Sequence, residues 1–207
     1  MEKKKILLLG TGGTIASEVG SSGLVPELTT EDLLAHIPAI SGICEVECIQ
    51  LLSLDSTNMQ PRHWLMMAAC IKEHYEEYDG FVLTHGTDTM AYTAAALSYL
   101  VAGSPKPIVF TGAQKPIGFD STDSKINLLD AFRCATEDLP GVSIVFNNKV
   151  IPGTRAKKTR SKSFQAFSSI NYPYLGVLRD GTLLRYIRPE CGERPVFYDA
   201  LNTKVAL

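Results

Sequence analysis

Short apolar runs alternate with longer amphipathic stretches from the N-terminus as far as residue 146. Each run is brief, mostly aliphatic or β-branched, and bounded by Gly, Pro or polar residues, a pattern typical of buried strands. The predicted strands cover residues 6–9, 47–52, 80–84, 107–111 and 142–146.

Helical periodicity fills the intervals between these runs. Pro61 suits the first turn of a helix, and apolar residues then recur at spacings of three and four, namely Trp64, Met67, Ala68, Ile71, Tyr75 and Tyr78. Such spacing predicts a helix with one apolar face.

Two more segments predict helices. Thr29 and Thr30, followed by Glu31 and Asp32, resemble a helix start. Residues 120–137 carry an apolar series at helical spacing, made of Ile126, Leu129, Phe132 and Ala135. Because strands and helices alternate, we expect an α/β fold with an open, mostly parallel sheet and helices on both faces, a three-layer sandwich.

The last third of the chain has a different pattern. Asp180 and Gly181 lie between two short apolar runs, which predicts a C-terminal β-hairpin. Residues 187–207 mix prolines with polar residues and end on the apolar letters KVAL, which resemble the start of a strand. We therefore expect a domain over 1–186 and, over 187–207, a linker with the start of a missing C-terminal domain; a plain C-terminal strand is the alternative.

Composition narrows the function classes. The chain has 207 residues, 45% of them hydrophobic, and a net charge of -2, so it can bury a core and lacks the basic charge that nucleic acid or a membrane surface would attract. The basic run over 154–162 predicts a solvated loop.

The N-terminal apolar run is too short for a signal peptide, and we expect a cytoplasmic protein. Five cysteines without CxxC or zinc-type spacing predict reduced, packing thiols rather than a structural zinc site.

Polar, glycine-rich segments follow three of the predicted strands: GTGGTIAS at 10–17, LDSTNM at 54–59 and THGTDTM at 84–90. The carboxyl ends of parallel strands meet at one edge of a sheet, where ligands bind. Gly10 and Gly12 match the start of a dinucleotide fingerprint, but Ile15 replaces its third glycine, and no Walker lysine follows. The glycines can instead bring the Thr14 hydroxyl close to a small ligand.

A threonine hydroxyl needs a base to act as a nucleophile. Thr87 and Asp88 are adjacent, and a lysine of the basic run could pair with them, since a carboxylate can hold an ammonium beside a hydroxyl. The spacing leaves helix capping by Asp88 as an equal alternative. His85 is interpreted as a packing or hydrogen-bonding residue.

Five motifs together give a resemblance to a known family: TGGTIAS at 11–17, LDSTNM at 54–59, DGFVLTHGTDTMAYTAAALS at 79–98, TGAQKP at 111–116 and INLLDAF at 126–132. They resemble the bacterial L-asparaginases, closest to the cytoplasmic type I branch. The resemblance implies hydrolysis of L-asparagine to aspartate and ammonia without metal or cofactor. It also implies a smaller C-terminal domain and a homodimer or homotetramer of the full-length protein.

The resemblance also implies roles for single residues. Thr14 resembles the threonine that attacks the amide, and Thr87, Asp88 and Lys158 resemble a second triad, with Lys157 as the substitute if the loop is shifted by one residue. The implied substrate-binding residues are Asp55, Ser56, Thr57, Thr87, Asp88 and Ala113. Leu24 stands where many relatives have a tyrosine that assists the first threonine.

Two alternative functions remain open. One is the amidohydrolase subunit of a tRNA-dependent amidotransferase, which would favour an additional domain before residue 11. The other is a fragment that binds aspartate or asparagine without turnover, because family members extend well beyond residue 207.

Overall fold

The computed structural model describes residues 3–20, 23–26 and 28–202. The strands of this part of the chain are, in order, β1 (Lys5–Gly12), β2 (Ser17–Gly20), β3 (Gly23–Pro26), β4 (Glu45–Leu54), β5 (Gly80–Thr84), β6 (Val101–Ala102), β7 (Pro107–Thr111), β8 (Gly141–Phe146), β9 (Lys149–Pro152), β10 (Ala156–Lys158), β11 (Phe167–Ser169), β12 (Gly176–Arg179), β13 (Thr182–Arg185) and β14 (Val196–Phe197). The α-helices are α1 (Thr30–Ala35), α2 (Pro61–Glu73), α3 (Met90–Leu100) and α4 (Ser124–Ala135). Short 3-10 turns cover Thr14–Ala16, Pro38–Gly42, Ser56–Asn58 and Gly153–Arg155.

Eight strands form one sheet in the order β13-β12-β9-β8-β7-β5-β1-β4. The five strands from β8 to β4 are parallel, and β9, β12 and β13 continue the sheet antiparallel. Two predicted strands, 80–84 and 107–111, coincide with β5 and β7. The predicted α/β fold with a mostly parallel sheet is confirmed.

Successive side chains of the central strands enter two different cores. In β1, Ile6 and Leu8 pack with residues of α1 and α4, whereas Leu7 and Leu9 pack with residues of α2 and α3. This alternation follows from the two-residue period of a strand. The sheet is therefore the middle layer of a three-layer sandwich, and its buried positions are apolar on both faces.

Residues 47–52 form a strand, as predicted, but the prediction that this strand is buried was wrong. It is β4, which lies at the edge of the sheet and, within the described residues, pairs with β1 alone. Its side chains are exposed or half-buried, and none is fully buried. Its aliphatic letters resemble those of a central strand, but an edge strand has a neighbour on one side only.

The helices differ from their predictions at the ends. The capping box at the start of α1 is present, since Thr29 Oγ1 accepts from Asp32 N and the Asp32 carboxylate accepts from Thr29 N. Helix α2 ends at Glu73, yet Tyr75 and Tyr78 beyond it are buried as the apolar series predicts.

Helix α4 buries Phe132 and Ala135 as predicted, but it differs from the prediction at its start. It begins at Ser124 rather than near residue 120, and Ile126 is 49% exposed. The buried face includes three polar residues, Ser124, Asn127 and Asp130, which a search for apolar periodicity does not detect.

The predicted C-terminal hairpin is confirmed. Arg179 pairs with Thr182 across the turn, where Asp180 and Gly181 have φ of 51° and 77°. Positive φ at both positions is the requirement of the tight primed turn.

Downstream of the hairpin, the described chain packs back onto the domain. Strand β14 pairs antiparallel with β6, and Gly192 N donates to Gly103 O at 2.9 Å. The strand predicted for the letters KVAL at 204–207 lies outside the described residues. The division of the chain at residue 186 stays a prediction.

Candidate active site

The loops that follow β1 and β5 touch through two glycines. Gly13 has φ of 85°, and a Cβ atom added there would lie 2.3 Å from the Gly86 nitrogen. Gly13 N also donates to Leu54 O at the end of β4, at 3.0 Å. Only a glycine fits this position, because the conformation is left-handed and the neighbouring backbone leaves no room for a side chain. The contact brings Thr14, the next residue, to the turn that carries Thr87.

A cavity of about 230 Å³ lies between these loops and the loop after β4. Its lining consists of Gly13, Thr14, Ser17, Asp55, Ser56, Gly86, Thr87 and Asp88. Drug-sized ligands occupy pockets of roughly 300–1,000 Å³, so this cavity suits a smaller molecule. Thr14 is half-buried, and no described residue forms a hydrogen bond with its hydroxyl.

Lys158 joins the two residues that follow Gly86. Its Nζ donates to Thr87 Oγ1 and to Asp88 Oδ1, both at 2.7 Å. The Lys158 side chain is 17% exposed and that of Asp88 58% exposed. Lys157, on the opposite face of β10, is exposed like most of the basic run. The structure therefore brings Lys158, rather than its neighbour, to Thr87 and Asp88.

Helix capping by Asp88, the alternative left open by the spacing, is not the observed contact. The N-cap of α3 is Thr89, and no side chain caps it. The Thr89 hydroxyl instead donates to Ser56 O at 2.7 Å, which ties the loop after β4 to the turn before α3.

The loop after β4 is ordered by Asp55. Its Oδ1 accepts from both the backbone nitrogen and the hydroxyl of Thr57, at 2.8 Å each. Ser56 is buried and lines the cavity, whereas Thr57 is exposed and is not part of the lining.

Ala113, like Thr57, is not among the described residues that line this cavity. Ala113 is 1% exposed and belongs to the core between the sheet and α4. The side chain of Leu24 lies outside the described residues, and the backbone of β3 pairs with β2 just after Thr14.

His85 is fully buried next to the site and supports its backbone. Its Nδ1 contacts Gly86 O at 2.7 Å, and because a carbonyl only accepts, this nitrogen must carry the proton. Its Nε2 has no partner among the described atoms. Burial lowers the pKa of His85 to about 4, so the ring is neutral near pH 7.

Sequence reasoning assigned no role to Gln114. This residue follows β7 by three positions, and its Oε1 accepts a hydrogen bond from the Thr87 hydroxyl at 3.2 Å. Its position just beyond the carboxyl end of a parallel strand was the available signal.

The five cysteines are free thiols; Cys44, Cys70 and Cys134 are buried, and Cys48 and Cys191 are half-buried. Within residues 3–20, 23–26 and 28–202, no group of three or more His, Cys, Asp or Glu side chains is arranged to hold a metal ion. No helix in those ranges has the length and apolar character needed to cross a membrane.

The comparisons with known proteins identify the family of this chain. The family model described as the N-terminal part of asparaginase matches residues 5–190. The chain belongs to the asparaginase family. This membership accounts for the motifs that follow β1, β4 and β5.

Several relatives are similar over most of the chain. The L-asparaginase of Thermococcus kodakarensis is 39% identical over 204 residues, which are 97% of this chain and 62% of that protein. L-asparaginase 1 of Escherichia coli K12 is 40% identical, covering 84% of this chain and 53% of its own length. A glutamyl-tRNA(Gln) amidotransferase component of Methanococcus vannielii is 37% identical, covering 90% of this chain and 47% of its own length.

The fold is also that of a solved asparaginase structure. The thermostable L-asparaginase from Thermococcus kodakarensis superposes with a TM-score of 0.87 at 38% identity, over 96% of this chain and 61% of that one. This asparaginase-family chain thus spans less than two thirds of the relatives that it matches.

Proposed function

We propose that this chain carries the catalytic residues of an L-asparagine amidohydrolase of the type I branch. The observation that carries the proposal is the contact of Lys158 with Thr87 and Asp88, at the cavity that Thr14 also lines. A hydroxyl held by a lysine, beside a second hydroxyl with no described partner, is the arrangement that a threonine amidohydrolase needs.

In the proposed reaction, Thr14 Oγ1 attacks the side-chain amide carbon of asparagine and ammonia leaves. The resulting ester links Thr14 Oγ1 to the side-chain β-carboxyl group of aspartate. Water then attacks the ester, which releases aspartate and restores the hydroxyl. Thr87 and Lys158 would relay the proton of the Thr14 hydroxyl to the leaving amide nitrogen, and later a proton of the water to the Thr14 oxygen, while Asp88 holds the lysine side chain.

Substrate binding is assigned to the polar lining of the same cavity. The Asp88 carboxylate, more than half exposed, would accept from the substrate's ammonium group. Ser56 would donate to its carboxylate from a loop that Asp55 orders. Thr57 and Ala113 lie outside the lining, and the family resemblance alone assigns them to substrate binding. A zwitterion of this size needs few heavy-atom contacts, which is consistent with a cavity of about 230 Å³.

Organisation and location are also proposed. Residues 1–186 would form the catalytic domain and 187–207 a linker to a C-terminal domain, with a homodimer or homotetramer as the active form of the longer protein. Support comes from the relatives' greater length. The resemblance to E. coli L-asparaginase 1 supports the type I branch. Five free cysteines suit a reducing, cytoplasmic location.

A second candidate is the ammonia-releasing component of a tRNA-dependent amidotransferase, because the M. vannielii relative with that name is 37% identical over 90% of this chain. This function would use glutamine and pass the ammonia on. Ammonia release from asparagine and from glutamine, measured side by side, separates the two: asparaginase activity predicts the faster rate with asparagine.

The role of the lysine has a matched test on neighbouring residues. Lys158→Met removes the ammonium that contacts Thr87 and Asp88, so ammonia release from asparagine should fall by at least about a hundredfold. Lys157→Met removes an equal charge from the exposed face of β10 and should leave the rate within about twofold. The assay uses this chain and a version extended to the length of its relatives; the opposite ranking would refute the assignment.

A further inference from the structure

Gln114 forms hydrogen bonds with Thr87, with the loop between β10 and β11, and with Asp123. The contact with Asp123 fixes its backbone. Its backbone nitrogen donates to both carboxylate oxygens of Asp123, at 3.0 Å each. Asp123 is only 5% exposed and immediately precedes α4. The residue is therefore held at the end of β7 independently of its side chain.

The orientation of the Gln114 amide follows from its partners. Its Nε2 donates to Ser161 O at 3.0 Å and to Ser163 O at 3.1 Å. Both partners are backbone carbonyls, which only accept, so the NH₂ group must face them. The reversed amide would turn its oxygen against two carbonyl oxygens. The Oε1 atom is left facing Thr87.

This orientation determines where the Thr87 proton lies. An amide oxygen has no proton to give, so the 3.2 Å contact requires the Thr87 hydroxyl to donate to Gln114 Oε1. The Thr87 oxygen then accepts from Lys158 Nζ at 2.7 Å. Its remaining lone pair, rather than its proton, is available to a molecule in the cavity.

We propose that Gln114 is a positioning residue that sets the direction of the Thr87 hydroxyl proton, and that the Ser161 and Ser163 carbonyls in turn set Gln114. The proposal rests on the proposed amidohydrolase function and assigns a new part of its machinery. The two carbonyls belong to the loop between β10 and β11, and β10 carries Lys158. The Gln114 amide therefore links the loop after β10 to the Thr87 hydroxyl, which Lys158 also contacts.

Replacing Gln114 with Glu gives the decisive kinetic test. A protonated carboxyl offers one carbonyl oxygen and one O–H donor, so it can accept from Thr87 and donate to one of the two carbonyls; an ionised carboxylate only accepts and would face both carbonyls without a proton to donate. The kcat of Gln114→Glu relative to wild type should therefore fall by about tenfold as pH rises through the pKa of the introduced carboxyl. KM for asparagine should change little.

Two further variants separate positioning from packing. Gln114→Met fills similar space without either hydrogen bond and should lose about tenfold in kcat at every pH. Gln165→Glu places the same charge on an exposed position of the same loop and should match wild type at all pH values. A ratio of Gln114→Glu to wild type that does not vary with pH, or full activity of Gln114→Met, would overturn the proposal.

A readout without turnover distinguishes failure of this proposal from failure of the proposed function. In threonine-labelled protein, NMR should detect a slowly exchanging Thr87 hydroxyl proton with an NOE to the Gln114 side chain, absent in Gln114→Met. If no variant or wild type releases ammonia but this proton is seen, the amidohydrolase proposal fails and the positioning of Thr87 stands. If the proton exchanges equally fast in wild type and Gln114→Met, the positioning proposal fails whatever the activity.

Discussion

At the scale of single residues, a neutral buried histidine precedes the turn that carries Thr87 and Asp88. His85 donates from Nδ1 to Gly86 O, while its other nitrogen lies in the interior without a described partner. Protonation of this ring is unfavourable, because the resulting charge would be buried away from water. The histidine therefore ties the stability of the site to pH.

This coupling predicts a loss of stability in acid. The pKa of His85 is about 4 in the folded protein and ordinarily about 6.5, so the unfolded chain binds the proton first as pH falls. The free energy of unfolding should then decrease between about pH 6.5 and pH 4, by up to about 3 kcal/mol. Urea denaturation across this range measures the slope.

His85→Gln keeps an amide N–H for Gly86 O but does not titrate, so its acid slope should be flatter than that of wild type. His36→Gln, at an exposed position, is the matched control and should keep the wild-type slope. Identical slopes for wild type and His85→Gln would show that the buried ring does not control acid stability.

Residue types and motifs predicted most of the residues at the site but not Gln114. Thr14, Thr87 and Asp88 lie in motifs that follow strands, and the structure brings them to one cavity. Gln114 could not be assigned from sequence, because its partners Ser161 and Ser163 are distant along the chain and meet it only in the fold. The catalytic roles themselves stay predictions.

At the scale of elements, the approach of the loops after β1 and β5 depends on Gly13. Gly13→Ala would place a methyl group 2.3 Å from the Gly86 nitrogen, on a backbone with φ of 85°. Overpacking and left-handed strain together should lower the free energy of unfolding by about 2–3 kcal/mol. Urea denaturation and ammonia release report the stability and the displacement of Thr14.

Gly118→Ala is the control for this glycine, because a Cβ atom there meets nothing within 4 Å. It should change the free energy of unfolding by less than about 1 kcal/mol. Equal stability of the two alanine variants would contradict the close packing of the two loops.

Elements with a clear period were predictable, and those without one were not. Strands β5 and β7 are uniformly buried and bounded by turn residues, so their ends were found. Helix α3 was not predicted because its letters MAYTAAALSYL are apolar on nearly all sides and give no amphipathic pattern. Strand β4 resembled a central strand because edge position depends on strand order.

At the scale of the whole molecule, the alternation of strands and helices was sufficient to predict the parallel part of the sheet. The order of its strands, and its antiparallel continuation through β9 and β12, depend on contacts between distant segments. A surface cavity of about 560 Å³ lies beside Asp88 and is lined by residues of α3 and β10. Tyr92 forms part of its lining and is 67% exposed.

The most direct test of the central claim is the rate of ammonia release from L-asparagine by a chain extended to the length of its relatives. Thr14→Ala and Thr87→Ala should each lower kcat by about a thousandfold or more, because each removes a hydroxyl assigned to the chemistry. Both variants should keep the wild-type free energy of unfolding to within about 1 kcal/mol. If folded Thr14→Ala and Thr87→Ala both retained the wild-type rate, the assignment of catalysis to this cavity would be contradicted.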